Sequence, residues 1–150
     1  MIDSYGAHGD RLLWLGIDPG VTTGWAMVED NGKVIGSGNW SEDEVRPALD
    51  TLIRFAHNEG YVIQAVIERV PRSGIGRLSM ALARINGAIR ELVEEVYELR
   101  TITVMPGEWK PSRVARTQKR PHGKLTQHQW DAIRMTLYVI DRESRRTHHG

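Results

Sequence analysis

The first sustained pattern in the chain is a nearly continuous apolar run, Arg-Leu-Leu-Trp-Leu-Gly-Ile-Asp over residues 11–18. A run of that length with no alternation predicts a central strand covered on both faces. Pro19-Gly20 breaks it. Two more strand-like runs follow, from Thr23 to Val28 and from Lys33 to Trp40, separated by Asp30-Asn31-Gly32. Asn-Gly is a strong hairpin signal, because both residues tolerate positive φ. The chain is therefore expected to open with three consecutive antiparallel strands. Ser41 and Glu44 have the spacing of a capping box, ahead of a helix carrying Leu49, Leu52, Ile53 and Ala56. Pro47 limits the first turn, so that helix could begin near Arg46, and Gly60 ends it.

Residues 61–68, Tyr-Val-Ile-Gln-Ala-Val-Ile-Glu, read as a fourth strand, closed by Pro71, Gly74 and Gly76. A long helix is expected from about Arg77 to Leu99. Its stripe of Leu78, Leu82, Ile85, Ile89, Leu92, Val96 and Leu99 alternates spacings of four and three. Thr101 to Met105 is a short fifth strand before Pro106-Gly107. A turn-rich connection covers 106–125. Thr126 with Gln129 forms a second capping box, starting a last helix through Ile133, Leu137 and Ile140. The order is βββαβαβα. Strands joined through helices run parallel, so the sheet is mixed and the fold class is α/β. One domain over 1–150 is expected, with its core at about 11–141 and flexible termini at 1–10 and 142–150.

Composition narrows the class. At 150 residues, 40% hydrophobic and 26% charged, the chain reads as one soluble globular domain. No apolar run reaches 18 residues and the first ten residues lack a signal-peptide pattern, so neither membrane nor export is expected. The absence of cysteine excludes thiol chemistry and cysteine zinc sites, and it fits a reducing cytoplasm. The net charge of +1 is unevenly distributed. Residues 1–68 carry 4 Lys/Arg against 11 Asp/Glu, and residues 101–150 carry 10 against 4. A basic C-terminal part beside an acidic first part points to a polyanionic partner.

Three carboxylates hold special positions: Asp18 and Glu68 end strands one and four, and Asp131 lies in the first turns of the last helix. Singly, each has a plain explanation as turn, strand-exit or helix-dipole residue. If strands one and four are adjacent and parallel, Asp18 and Glu68 leave the sheet at the edge where α/β proteins bind ligands. His128 is spaced i, i+3 from Asp131, so the two share a helix face. Three carboxylates and an imidazole converging there would repel one another without divalent cations, and such an oxygen-rich set suits Mg²⁺ or Mn²⁺. Paired cations are a standard device of phosphodiester cleavage.

Taken together, Leu15-Gly-Ile-Asp-Pro-Gly20, Val66-Ile-Glu68 and His128-Gln-Trp-Asp131-Ala132 resemble the RuvC family of Holliday junction endonucleases over about residues 12–140. The resemblance implies a ribonuclease H-like fold, with a five-stranded sheet antiparallel in 3-2-1 and parallel in 1-4-5. It implies that Asp18, Glu68, His128 and Asp131 ligate two Mg²⁺ ions, with Mn²⁺ as substitute. Their activated water would attack a phosphodiester and leave 5′-phosphate and 3′-hydroxyl ends. The implied partner is branched DNA, and the implied assembly is a homodimer. Family members often place an aromatic wedge three positions after the glutamate; here that residue is Pro71. Arg69 and Arg72 beside it suggest phosphate contacts instead.

Lys110, Arg113, Arg116, Lys119, Arg120 and Lys124 occupy a stretch without one acidic residue from 110 to 124, as phosphate binding would require. Trp109 is open to two readings, a base-stacking residue or a core plug. On the long helix, Met80, Ala83 and Gly87 face away from the main stripe, and small residues there permit close approach of a second copy. Three alternatives remain at this stage. They are a junction-binding protein with a decayed nuclease site, a ribonuclease H acting on RNA–DNA hybrids, and an actin/sugar-kinase-type ATPase. The last is suggested by Gly16-Ile-Asp-Pro-Gly-Val-Thr-Thr-Gly24, but it would need a second domain.

Overall fold

A computed structural model describes residues 11–70, 77–121 and 123–149. Five strands form one sheet in the order β3-β2-β1-β4-β5. They are β1 (Arg11–Asp18), β2 (Thr22–Glu29), β3 (Val34–Ser41), β4 (Tyr61–Glu68) and β5 (Arg100–Val104). β1 pairs antiparallel with β2 and β2 with β3, while β1, β4 and β5 run parallel. The expected mixed sheet is present, strand for strand. The β2–β3 hairpin turns at Gly32, whose φ of 91° suits glycine, and the Asn31 side chain accepts the Lys33 N–H.

The apolar run of β1 does face two ways. Leu13, Leu15 and Ile17 enter one core with Met27, Ile63, Ala65 and Ile67. Helix α1 (Val45–Asn58) covers it with Leu49 and Ile53, and helix α2 (Arg77–Arg90) with Ile85 and Ile89. Trp14 enters the opposite core with Ala26, Val28, Val66 and Val104. Two short helices on that side, α3 (Pro106–Trp109) and α4 (Arg113–Thr117), contribute Trp109 and Ala115. The long α5 (Gln127–His149) covers the rest of this second face through Trp130, Ile133 and Met135.

Both capping boxes form in part or whole. The Thr126 hydroxyl accepts the Gln129 N–H at 3.1 Å, and the Gln129 side chain accepts from Thr126 N–H at 3.4 Å. Glu44 reaches back to the Ser41 N–H at 2.8 Å, but α1 begins only at Val45, because Ser41 still belongs to β3.

Three elements differ from the sequence pattern. The long helix is α-helical only to Arg90 and continues as a π-helical segment, Glu91–Val96. Tyr97 N–H there bonds to the Leu92 carbonyl, five residues back. The widened turn shifts the helix phase, so Val93 is buried in place of Val96, which is 55% exposed. The connection at 106–125 is not all turn, since it contains α3 and α4. Finally, α5 runs on to His149, with Arg142 paired to Glu108 and Glu143 paired to Arg100. Among the described residues, no helix is long and apolar enough to cross a membrane.

Candidate metal and nucleic-acid site

Side chains along a strand alternate between faces. In β1, Trp14, Gly16 and Asp18 share one parity, and in β4, Val66 and Glu68 do. Trp14 and Val66 lie in the α5-side core, so Asp18 and Glu68 emerge on the face that α5 covers. The register Ile17↔Ile67 brings the next residues, Asp18 and Glu68, side by side at the carboxyl end of the two strands.

Helix α5 reaches them because glycines line its path. A Cβ on Gly24 would lie 2.1 Å from the His128 carbonyl oxygen, and one on Gly16 would lie 1.7 Å from Thr136 Oγ1. Glycine in a strand interior marks such close backbone approach. The helix therefore lies directly on β1 and β2, with His128 and Asp131 in its first turns. His128 Nδ1 stands 3.5 Å from Asp18 Oδ2. Thr23, fully buried, donates its hydroxyl to the Gly20 carbonyl at 2.9 Å and so fixes the turn after Asp18.

Asp18 is 7% exposed, and its carboxyl is pushed up to about 8. Burial is the main cause. The Glu68 carboxylate, close enough to share a proton, and then Asp131 add to it, while Lys110 opposes. Asp18, Glu68, His128 and Asp131 thus meet at one edge of the sheet, as their spacing implies. The convergence expected of a ready ligand cage is not reached. Among the described residues, no three His, Asp or Glu side chains stand so as to hold a metal ion. Two of the three carboxylates are held by protein donors. Glu68 Oε2 accepts the Trp109 indole N–H at 2.5 Å, and Asp131 Oδ1 accepts from both Gln127 Nε2 and Arg134 Nη2 at 2.7 Å.

The donor set nevertheless fits a hard divalent cation. Two carboxylates, Glu68 and Asp131, and the His128 imidazole stand around the buried Asp18. Each of these two carboxylates also retains one oxygen that meets no N–H donor among the described residues, and Glu68 shares the Asp18 acid proton.

Trp109 is completely buried, which settles its role as part of the core and leaves no face for a base. Its hydrogen bond to Glu68 carries no signal in the sequence. Arg134 is a further residue at the site that the sequence pattern did not single out, although its i, i+3 spacing from Asp131 was a usable signal. Arg69, Lys110, Arg113, Arg116, Lys119, Arg120 and Lys124 are all at the surface. Pro71 and Arg72 lie outside the described residues. At the site the His128 side chain is 48% exposed. A cavity of about 610 Å³ lies at the other end of β4, between Ile53, Tyr61, Tyr97 and Arg100.

No family model matches the chain, and no curated protein matches it in sequence. Solved structures do match its fold. Thermus thermophilus RuvC in complex with a Holliday junction substrate superposes with a TM-score of 0.66 at 13% identity, covering 89% of this chain and 96% of that one. The fold is that of RuvC. A second Thermus thermophilus RuvC structure gives a TM-score of 0.62, again at 13% identity, covering 89% of this chain and 97% of that one. The RuvC fold is a ribonuclease H-like fold, and the sheet order and strand directions of this chain agree with it.

Proposed function

We propose that this chain is a divalent-cation-dependent, structure-selective endonuclease that resolves four-way DNA junctions. The observation that carries the reading is the meeting of Asp18, Glu68, His128 and Asp131 at the carboxyl edge of a RuvC-type sheet. The RuvC structure it resembles is bound to a Holliday junction substrate. Those four residues would hold Mg²⁺, or Mn²⁺ in its place. When bound, the cations supply an activated water and stabilise the leaving 3′ oxygen, giving 5′-phosphate and 3′-hydroxyl ends.

The chain's own residues do the rest. Arg69 and the basic stretch from Lys110 to Lys124 draw phosphates to the edge and fix the duplex beside it; Arg72 is assigned to the same task. Lys110 has a further effect, since its charge favours the ionised form of Asp18. Trp109 and the α5 backbone exclude water from beneath the acids, so that charge there is poorly screened.

Paired nicking of a junction needs two sites, and the exposed face of α2 offers the surface to unite them. Met80 is 62% exposed, Ala83 is exposed, and no atom lies within 4 Å of a Cβ built on Gly87. A two-fold dimer through this face would place one acidic edge on each of two opposed strands.

The test is a substrate panel of four-way junction, fork, linear duplex and RNA–DNA hybrid, with Mg²⁺. Paired cuts in the four-way junction are expected. Asp18→Asn should slow cutting by more than about 10³-fold, about 4 kcal/mol of barrier, while junction binding persists. Binding without cutting by the unmodified protein, in Mg²⁺ and in Mn²⁺, would make it a junction-binding module. Preferential cutting of the hybrid would make it a ribonuclease H.

A further inference from the structure

Glu68 and Asp131 come from different elements, yet the groups that hold them touch each other. Trp109 Nε1 donates to Glu68 Oε2, and Arg134 Nη2 donates to Asp131 Oδ1. The Arg134 guanidinium lies 5.3 Å from the Trp109 ring centroid and 5.4 Å from that of Trp130. Its side chain is only 21% exposed, so cation–π attraction acts with little competition from water. Trp109 is fully buried and its ring cannot turn without displacing core residues. The Lys110 ammonium also lies near this indole, 5.7 Å from its centroid.

The pattern of acceptance is selective. Both donors to Asp131, Gln127 and Arg134, engage Oδ1. Trp109 engages Oε2 of Glu68. One oxygen of each carboxylate is thereby occupied by protein donors, and the other is left for a cation. Hydrogen bonds of this kind fix ligand orientation and remove rotamer freedom that metal binding would otherwise have to overcome.

We infer that Trp109 and Arg134 form a single positioning unit, which holds Glu68 and Asp131 in register as one-oxygen ligands for a divalent cation. The inference rests on the metal-site reading given above. Neither residue touches the cation or the substrate. Arg134 acts through Asp131, and Trp109 acts through Glu68. Because the two stack, disturbing either one loosens both carboxylates.

The experiment is calorimetric titration of the full chain with Mn²⁺ alone, without DNA, alongside thermal unfolding. Trp109→Phe keeps the buried ring and deletes the N–H; Arg134→Met keeps the stem and deletes the charge and fork. Each should weaken Mn²⁺ binding by about 10–100-fold. The double variant should lose clearly less than the product of the two single losses, as members of one unit do. Ile133→Val, a core change on the same helix, should lower the unfolding temperature and leave Mn²⁺ affinity unchanged. Folded single variants that bind Mn²⁺ like the unmodified protein would overturn the inference. Multiplicative losses in the double variant would overturn the claim of a single unit. An unmodified protein that binds no Mn²⁺ would instead overturn the metal-site reading, and the inference with it.

Discussion

The two faces of the sheet are covered by different means. On the α1–α2 face, coverage is apolar and redundant: Leu49, Ile53, Ile85, Ile89, Leu92 and Val93 interlock with Leu13, Leu15 and Ile17. On the α5 face, close packing depends on absent side chains. Gly16 and Gly24 admit the helix, and Thr136 sits fully buried beneath it, its hydroxyl donating to the Ala132 carbonyl at 2.6 Å. The first face stabilises the molecule. The second sets the distance between β1 and α5, and therefore between Asp18 and the pair His128 and Asp131. The acidic centre lies on the face where tolerance to change is lowest.

The sharpest way to break this contrast is a single methyl group. Gly24→Ala would drive a Cβ into the His128 backbone carbonyl, 2.1 Å away, which no rotamer change relieves. Loss of Mn²⁺ binding and of cleavage is expected, with α5 displaced or the chain unfolded, as circular dichroism and calorimetry would report. On the other face, Leu49→Ala should cost about 2–5 kcal/mol of stability by leaving a cavity, while Mn²⁺ affinity at low temperature stays near its original value. Equal effects of the two changes on metal binding would erase the distinction between the faces.

A smaller effect comes from the charge at the acidic edge. The Asp18 carboxyl is raised from 3.8 to about 8 by burial, then by Glu68 and Asp131. A folded-state value above the unfolded one means that this group's contribution to stability is greatest at low pH and is lost as pH rises from about 4 through 8. Without divalent cation, Asp18→Asn should therefore raise the unfolding temperature at pH 8, by about 2–4 °C for each kcal/mol recovered. The gain should shrink toward pH 4. An unfolding temperature that falls at pH 8 would contradict the assigned electrostatics.

The smallest effect separates two classes of arginine. Arg46, Arg54, Arg84, Arg90, Arg100, Arg134, Arg142, Arg145 and Arg146 are each paired with a carboxylate. Arg113, Arg116 and Arg120 have no ion pair among the described residues, consistent with a surface kept for phosphate. Replacing Lys110, Lys119 and Arg120 by glutamine should flatten the slope of log affinity for duplex arms against log salt, by about 0.9 for each phosphate no longer neutralised. An unchanged slope would return that stretch to ordinary solvated surface.

Much of the architecture was legible because it rests on periodicity and turn chemistry. The double-faced run at 11–18, the Asn31-Gly32 turn and the Thr126–Gln129 box each act locally, so each could be read locally. The strand-end acids were legible for a related reason: Asp18 and Glu68 each close an apolar run, so adjacent parallel strands bring both to one edge of the sheet, while the face they share became visible only from the packing of Trp14 and Val66. What escaped the sequence were effects that need the third dimension. The π-helical turn exchanges Val96 for Val93 because the helix must meet a surface already shaped by the sheet. Trp109 reads as core or stacking residue until Glu68 is seen beside its N–H. Gly16 and Gly24 did carry a signal, since glycines in the interiors of adjacent strands announce a backbone close above them.

Helix α5 is seated so as to bring His128 and Asp131 to Asp18 and Glu68, and divalent cations are proposed to bind among these four side chains. A crystal of the full chain grown with Mn²⁺ and measured at the manganese absorption edge tests it directly. Anomalous peaks are expected within about 2.0–2.4 Å of oxygens of Asp18, Glu68 and Asp131 and of a His128 ring nitrogen, with Trp109 and Arg134 still bonded to their carboxylates. Manganese bound elsewhere, with these four side chains free of it, would overturn the metal site proposed at this edge of the sheet.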